Sequence, residues 1–404
     1  MRQLQSGADM ARASRRAPRL VNDGEASCHE GSEGRLKGIA AKKISAPPAF
    51  FGSRAEAAAG AVTYAFFDSL RRAQVGAWAA LGFKSRECGH SAVASDRLWR
   101  LREYDEHGDG PALLIVAAPI KRPYIWDLVP AASAVRICLA RGLRVFLLEW
   151  LPALNDSGDA GLDAYAGQSL ADAVARVTAR SGGAKPFLMG HSLGGTFAAI
   201  HAALAGESLR GLVLLGAPLC FAPGSGRFRD ALVSVMPASL GIIDIVPGSL
   251  LTHLCAYASP DIFIWSRIAD AGLSLYDPGA SAVHAGVERW TFDELSLPGR
   301  LVREIYEQLY RENRFCRGLL EIGGRRVGPA AVQLPTLAVV NVADEIAPPA
   351  SITPFIEAMP KGLGTLIEHQ GEVGVGLQHL AVLVGRKAHA AVWPRVLAWL
   401  DAQA

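Results

Sequence analysis

The chain has 404 residues, of which half are apolar and 20% are charged, and its formal net charge is +3. This composition is typical of a folded globular protein and excludes global disorder. The first fifty residues carry nine Lys or Arg and five Asp or Glu, a net +4, so the rest of the chain sums to −1. A near-neutral body offers no basic stripe for phosphates, and we expect no nucleic-acid partner.

The six cysteines are scattered and form no C-x-x-C pair. We therefore expect no metal site, no disulfide framework, and reduced thiols in a cytoplasmic protein. The first twenty residues hold five arginines and no apolar run, so we expect no secretory signal. The most apolar window, Ala231–Leu251, contains an aspartate and two prolines, so we also expect no transmembrane segment.

The first part of the chain divides into two predicted segments. Residues 1–50 have no hydrophobic period and are expected to form a disordered basic tail. Residues 51–96 are expected to be an N-terminal helical segment, because Ser53-Arg54-Ala55-Glu56 has the capping-box pattern. Apolar residues then recur at helical spacing up to Phe83. We expect this helix to dock on the main domain, with a hydrophobic-particle surface as the alternative partner.

From Arg97 to the end, the chain alternates between strand and helix patterns. Short apolar runs predict buried parallel strands at Leu113–Ala117, Val145–Leu148, Phe187–Met189, Leu212–Leu215 and Leu337–Val340, and Gly364–Glu368 is expected to be a last strand. Helical patterns separate several of them, at Val129–Arg141, Ala164–Arg180 and Gly195–Ala205. This alternation predicts an α/β fold with a mostly parallel, doubly wound sheet. It stops between residues 219 and 315, where we expect an inserted, largely helical cap.

The segment Gly190-His191-Ser192-Leu193-Gly194 follows a predicted strand and precedes a predicted helix. This is the G-x-S-x-G nucleophile elbow of the α/β-hydrolase fold in its required context. We therefore assign residues 97–404 to an α/β-hydrolase catalytic domain with Ser192 as the nucleophile. A serine hydroxyl needs a base, and in this fold the acid and then the histidine follow the serine along the chain.

Asp344 lies just past the predicted strand Leu337–Val340, where this fold carries its acid, and its neighbour Glu345 should point away. His379 follows a glycine-rich loop and precedes an apolar helix start, which suits a base. His369 and His389 lie within regular elements and are expected to be structural or exposed. The predicted triad is therefore Ser192, Asp344 and His379.

The oxyanion of an acyl-transfer intermediate needs backbone N–H donors. One is expected at Leu193, the residue after the nucleophile. The other should come from the loop after the first buried strand, where Pro119 has no N–H and Ile120 is the expected donor. We expect His191 to serve in packing or orientation, with a second base as the alternative.

Together these motifs resemble the polyhydroxyalkanoate synthase family, in its catalytic α/β-hydrolase domain, from about Arg97 to Leu400. The likeness rests on nine stretches in family order: Leu113–Ile120, Tyr124–Leu128, Gly161–Tyr165, Gly190–Thr196, Val287–Trp290, Leu309–Asn313, Gly323–Val327, Asp344–Pro349 and His379–Gly385. The resemblance implies a triad at the same three positions, hydroxyacyl-CoA thioesters as substrates, no metal or redox cofactor, and a homodimer formed through the cap. Two departures stand out: the family's synthases have cysteine in place of Ser192, and this chain is short at the N-terminus compared with the longer family members. A lesser departure is Gln378, where the family pattern has glycine before the histidine.

Three functions follow from this comparison. Because a serine acyl-enzyme is an oxygen ester, open to water or an alcohol, the main hypothesis is a serine hydrolase or acyltransferase acting on hydroxyacyl esters or thioesters. The alternative is a poly(3-hydroxyalkanoate) synthase that polymerises hydroxyacyl-CoA. A further alternative is a non-catalytic protein associated with polyester granules, for which the apolar N-terminal helix and cap would supply the contact.

Overall fold

The computed structural model describes residues 54–80, 86–104, 109–154, 157–238, 240–241 and 243–404. The predicted basic tail and Ser53 lie outside the described residues. The strands are β1 (His90–Ser95), β2 (Trp99–Tyr104), β3 (Ala112–Val116), β4 (Asp127–Val129), β5 (Ala132–Ser133), β6 (Arg144–Trp150), β7 (Phe187–His191), β8 (Gly211–Leu215), β9 (Ile245–Val246), β10 (Leu297–Pro298), β11 (Leu320–Ile322), β12 (Arg325–Val327), β13 (Thr336–Asn341) and β14 (Gly364–His369).

The α-helices are α1 (Arg54–Ala80), α2 (Ala134–Ala140), α3 (Leu170–Arg180), α4 (Leu193–Ala205), α5 (Arg227–Val235), α6 (Gly248–Ala258), α7 (Ser266–Ser274), α8 (Pro278–Thr291), α9 (Gly299–Glu304), α10 (Thr353–Glu357), α11 (Ala381–Val384) and α12 (Trp393–Ala402). Four π-helical turns adjoin them, at Asp163–Ser169, Asp261–Trp265, Ile305–Arg311 and Ala388–Val392. The predicted helices therefore correspond to α1, α2, α3 with its π-helical turn, and α4.

Eight strands form one sheet in the order β1-β2-β6-β3-β7-β8-β13-β14. The six strands from β6 to β14 are parallel, and β2 is antiparallel to both of its neighbours. Alternate side chains of β3 enter separate hydrophobic clusters, Leu114 and Val116 in one, Leu113 and Ile115 in the other. The sheet is thus buried on both faces, and the predicted mostly parallel, doubly wound architecture is confirmed.

The sheet begins earlier than the predicted boundary at Arg97. Strand β1 lies inside the segment predicted to be helical, and it pairs with β2 in an antiparallel hairpin. Its sequence, His90 to Ser95, consists of small and polar residues, and its side chains are half-buried or exposed. An edge strand with one partner needs no apolar run, so the hydrophobic pattern did not reveal it.

The inserted cap lies between β8 and β13. It contains α5 to α9, two of the π-helical turns, and the two-stranded pair of β9 with β10. A largely helical insertion is therefore confirmed. The apolar window at Ala231–Leu251 is divided among α5, β9 and α6, and within the described residues no helix is both long and apolar enough to cross a bilayer.

The expectation that all cysteines are reduced is wrong for one pair. Cys220 and Cys316 form a disulfide across 96 residues of sequence. Cys220 follows β8 where the chain enters the cap, and Cys316 precedes β11 where it returns. The two cysteines are close together in the fold but far apart in sequence, so a short cysteine spacing could not predict their pairing. Cys138 and Cys255 are free thiols.

Candidate active site

Ser192 occupies the turn between β7 and α4. Its backbone has φ 55° and ψ −136°, a conformation that a non-glycine residue adopts only under strain. The Ser192 amide donates to the Leu215 carbonyl at 3.2 Å, and its carbonyl accepts from the Thr196 amide at 3.0 Å. These bonds fix the elbow between the end of β8 and the first turn of α4.

The glycines of the elbow are required by close backbone contacts. A Cβ on Gly190 would lie 2.6 Å from the backbone of Gly195, and one on Gly194 would lie 2.3 Å from the Val116 carbonyl oxygen. A Cβ on Gly195 would meet the Ala217 side chain at 2.5 Å. Because these distances leave no room for a side chain, the turn packs tightly against β3 and the chain beyond β8.

Asp344 lies in the turn that follows β13, and its side chain is buried. One carboxylate oxygen, Oδ1, accepts from the amides of Ile346 at 2.9 Å and Ala347 at 3.0 Å. Burial opposes ionisation, but His379 and these two amides outweigh it and hold the pKa of Asp344 below its ordinary value. Asp344 is therefore ionised at neutral pH.

His379 lies in a 3₁₀ turn between the loop after β14 and α11. Its Nδ1 lies 2.7 Å from Oδ2 of Asp344, and because an ionised carboxylate only accepts, Nδ1 carries the proton. The Nε2 atom is buried and has no hydrogen-bond partner among the described residues. His379 and Ser192 line the same cavity, so the bare Nε2 is the nitrogen available to the serine hydroxyl.

The loop that carries His379 is closed by Gln378, the residue that departs from the family pattern. The Gln378 side chain donates through Nε2 to the Glu372 carbonyl at 2.6 Å and accepts from the Glu372 amide at 3.2 Å. Asn341, at the end of β13, donates through Nδ2 to the Gln378 carbonyl at 2.7 Å. The side-chain amide of Gln378 thus links two parts of the histidine loop, and that of Asn341 links the loop to β13, the strand that precedes Asp344.

His191 contacts both the backbone and the ring of His379. Its Nε2 donates to the His379 carbonyl at 2.8 Å, and the two rings lie 4.6 Å apart between centroids. Burial, together with the neighbouring His379, lowers the pKa of His191 to about 3, so the ring is neutral at physiological pH. This geometry fits the expected role in orientation, because the His191 ring donates to the backbone of the residue that it would orient.

The two expected oxyanion donors lie on adjacent elements. Leu193 is the first residue of α4, and Ile120 lies in the turn after β3; both line the cavity with Ser192. The Ile120 carbonyl accepts from the Leu295 amide at 2.9 Å, which fixes this turn to the cap. The amide of Leu193 also lies at a helix N-terminus, where developing negative charge is favoured.

The remaining candidates lie outside this cavity. Glu345 pairs with Arg227 at 3.2 Å and is partly exposed. His369 ends β14 with its Nε2 3.3 Å from a Glu372 carboxylate oxygen. Nε2 of His389 donates to the Leu383 carbonyl at 2.6 Å. The structure therefore groups Ser192 and His379 with Asp344 and separates the other two histidines from them.

The cavity beside Ser192 has a volume of about 620 Å³ and is walled mainly by apolar side chains of the cap and of α1. Sequence reasoning missed this contribution from α1, and it also missed Asn341 and Asp270, a cap residue that contacts the histidine loop. The elbow had a local motif to reveal it. Contacts between residues that are far apart in sequence have no such motif.

Comparisons with known proteins agree with this geometry. A family model described as alpha/beta hydrolase fold matches residues 130–233, which include β7, Ser192 and α4. The crystal structure of a suspected lipase from Sulfolobus solfataricus superposes with a TM-score of 0.50 and 18% identity, covering 77% of this chain and 92% of that one. The chain therefore has the α/β-hydrolase fold.

Several curated proteins with similar sequences are poly(3-hydroxyalkanoate) polymerase subunits. The poly(3-hydroxyalkanoate) polymerase subunit PhaC of Haloferax mediterranei is 28% identical over 290 residues, 71% of this chain and 58% of the relative. The subunit of Haloarcula marismortui is 26% identical over 73% of this chain and 62% of its own length. The subunit of Allochromatium vinosum is 27% identical over 77% of this chain and 87% of its own length. The chain thus spans about three fifths of the first two relatives, and its resemblance to the polyhydroxyalkanoate synthase family is confirmed.

Proposed function

We propose that this chain is an acyltransferase of the polyhydroxyalkanoate polymerase type that moves hydroxyacyl groups from CoA thioesters through an ester on Ser192. The observation that carries the proposal is the shared cavity of Ser192 and His379, with Asp344 hydrogen-bonded behind the histidine, in a chain similar to polymerases. The polymerase relatives favour this alternative over the hydrolase that the serine first suggested.

In the acylation step, the Ser192 hydroxyl oxygen attacks the thioester carbonyl carbon while Nε2 of His379 takes the hydroxyl proton. The amides of Leu193 and Ile120 donate to the resulting oxyanion. The C–S bond then breaks, and the proton on His379 passes to the departing sulfur, so that free CoA thiol leaves and an ester remains on Ser192. Asp344 stabilises the transient imidazolium and holds it in place.

In the transfer step, the hydroxyl of a second hydroxyacyl group attacks the ester carbonyl of the acyl-enzyme. His379 takes the proton of that hydroxyl and returns it to Ser192, which restores the free serine. The product is one ester bond longer than the acceptor. No metal or redox cofactor enters these steps.

Hydrolysis is the second candidate, and the serine itself favours it. The resemblance implies cysteine at this position in the synthases, whereas an acyl-enzyme on serine is an oxygen ester that can pass its acyl group to water or to an alcohol. The apolar wall of the cavity opposes this outcome, because it limits the water near Ser192.

The test uses the full-length purified chain with a 3-hydroxyacyl-CoA, following CoA release and product mass together. We expect release with oligomeric hydroxyalkanoate as the product, and a loss of at least about 10³-fold in Ser192→Ala. Free hydroxy acid as the sole product would move the assignment to a hydrolase. Equal release by Ser192→Ala would contradict the mechanism.

Four features stay predictions of the sequence. They are the absence of a cofactor, the homodimer, the contact with a polyester granule, and the cytoplasmic location.

A further inference from the structure

Helix α1 forms part of the wall of the cavity that contains Ser192. Tyr64, Phe67 and Arg71 line the cavity, and their spacing places them on one face of the helix. Val62, Phe66 and Leu70, on another face, are more than half exposed. The helix therefore turns one side toward the substrate cavity and another toward solvent.

Specific polar contacts fix α1 in this position. The Asp68 carboxylate accepts from the amides of Ser249 at 2.8 Å and Gly248 at 3.2 Å, which caps the N-terminus of α6. The Ser249 hydroxyl donates to the Tyr64 carbonyl at 2.9 Å. Arg71 also forms an ion pair with Glu294. Both the backbone and the side chains of α1 form hydrogen bonds or ion pairs with the cap. These contacts hold α1 in place as part of the cavity wall.

The cavity suits an apolar ligand. Its volume of about 620 Å³ lies in the range of about 300–1,000 Å³ that is usual for small-molecule sites. The cap adds apolar side chains to the wall, among them Leu232, Leu250 and Phe263. The cations that reach it have acidic partners, since Lys121 lies 3.1 Å from Glu294 and Arg267 pairs with Glu288. A hydrocarbon chain therefore fits this space better than a charged or polar one.

We propose that the cavity binds the hydrocarbon side chain of a medium-chain 3-hydroxyacyl thioester, and that Tyr64 and Phe67 of α1 help to set the preferred chain length. This inference rests on the proposed acyl transfer at Ser192 and names its substrate class. Each methylene buried in an apolar site contributes about fourfold to binding. A four-carbon substrate leaves most of the cavity without a ligand, so the longer substrate gains the larger kcat/KM.

The experiment measures kcat/KM for 3-hydroxybutyryl-CoA and 3-hydroxydecanoyl-CoA with the full-length chain. We expect the decanoyl substrate to be preferred by at least about tenfold. Tyr64→Ala and Phe67→Ala should each reduce this preference by about threefold or more, because the longer chain loses wall contacts that the shorter one does not make. Phe66→Ala is the matched control, since Phe66 is an exposed aromatic on the same helix and should leave the preference unchanged.

Equal use of the two substrates, or equal shifts in Phe66→Ala and Phe67→Ala, would overturn the chain-length proposal while acyl transfer stood. Absence of any Ser192-dependent turnover would instead contradict the proposed function. Binding separates the two cases further. A non-reactive thioether analogue of the decanoyl substrate should bind to Ser192→Ala, and Phe67→Ala should weaken that binding. If the butyryl analogue binds as tightly as the decanoyl one, the cavity is not an acyl-chain site.

A second inference rests on a different contact, between the cap and the histidine loop. Asp270 of α7 accepts from the Gly374 amide through Oδ1 and from the Gly376 amide through Oδ2, each at 2.7 Å. Its Oδ2 also lies 3.0 Å from Nδ1 of His284 on α8. One buried carboxylate thus joins two cap helices to the loop that ends at His379.

The loop also packs closely against α8. A Cβ on Gly374 would lie 2.7 Å from the Ala280 side chain, and one on Gly376 would lie 2.7 Å from Val287. Both glycines have positive φ, so their amides reach Asp270 through a backbone that other residues rarely adopt. We infer that Asp270 is a positioning residue that holds His379 in register with Ser192.

Asp270→Asn tests this inference, because asparagine must turn an N–H₂ group toward one of the two donor amides. We expect kcat to fall about tenfold to a hundredfold with KM nearly unchanged, since the base is displaced while the acyl cavity remains. The control is Asp277→Asn, a cap carboxylate that pairs with Arg386 at the surface. It should retain the wild-type kcat.

A proton spectrum gives a readout that a general loss of stability would not produce. The hydrogen-bonded Nδ1 proton of His379 should give a downfield resonance that disappears in Asp344→Asn. In folded Asp270→Asn this resonance should shift or broaden, and in Asp277→Asn it should not. An unchanged resonance with unchanged kcat in Asp270→Asn would overturn the positioning role.

Discussion

The nucleophile elbow and the cavity wall are built in different ways. At the elbow, backbone atoms of β7, α4 and β3 touch one another directly, and glycines at positions 190, 194 and 195 leave no room for side chains. The cavity wall instead combines side chains of α1 with those of several cap helices, as far apart in sequence as Tyr64 and Tyr306. The nucleophile is therefore positioned by local backbone geometry, whereas the cavity that we propose to select the substrate is formed by side chains far apart in sequence.

The largest expected effect lies at the acid beside the elbow. Asp344→Asn should lower kcat by about 10⁴-fold, because the amide would no longer hold the neutral histidine with its proton on Nδ1. Steady-state kinetics on a hydroxyacyl thioester would measure the loss. Glu345→Gln is the control, since the neighbouring carboxylate faces Arg227 at the surface, and it should retain most of the activity. Similar losses in the two variants would contradict the assignment of Asp344.

Two glycine-to-alanine variants compare the two regions directly. In Gly194→Ala the new Cβ would lie 2.3 Å from the Val116 carbonyl oxygen, so the elbow must move, and we expect a loss of stability above about 3 kcal/mol. In Gly76→Ala on α1 the new Cβ meets nothing within 4 Å. There the higher helix propensity of alanine should stabilise the protein by up to about 1 kcal/mol. Urea denaturation of both variants gives the comparison, and a stable Gly194→Ala would contradict it.

The disulfide at the base of the cap should be the next largest contributor to stability. Cys220 and Cys316 close a segment of 96 residues, and removing such a crosslink costs about 2–5 kcal/mol. We expect the double variant Cys220→Ser with Cys316→Ser to unfold at lower urea concentration, and a reductant to shift the wild type by a similar amount.

A thiol count provides the control for this bond. The unreduced, unfolded chain should show four reactive thiols, because two of its six cysteines are joined. Six thiols would restore the sequence-based expectation that every cysteine is reduced.

A pH dependence of stability is expected from two buried histidines. Burial lowers the pKa of His191 to about 3 and that of His201 to about 4. In the unfolded chain each has a pKa near 6.5, so below about pH 6.5 the unfolded state binds more protons and stability falls toward the two folded values. The slope should approach about 1.4 kcal/mol per pH unit for each histidine. Urea midpoints measured between about pH 7.5 and pH 5 should fall accordingly, and His201→Leu should make the slope shallower.

The fold and the grouping of Ser192, Asp344 and His379 could be predicted because their signals are short in sequence. The central strands β3, β6, β7, β8 and β13 each contain a continuous apolar run, and the three residues each follow a strand or a glycine-rich loop that the pattern reveals. Strand β1 was missed because an exposed edge strand needs no apolar run. The Cys220–Cys316 bond and the contact of Asp270 with Gly374 and Gly376 were missed because each joins distant segments.

Acyl transfer through Ser192 is tested most directly by the mass of the chain after a brief reaction with 3-hydroxydecanoyl-CoA and an acid quench. We expect a covalent hydroxyacyl adduct, of one or more units, on the peptide that contains Ser192. Asp344→Asn should form it far more slowly, and Ser192→Ala should not form it at all. CoA release without an adduct at Ser192, or an adduct that persists in Ser192→Ala, would contradict acyl transfer through this serine.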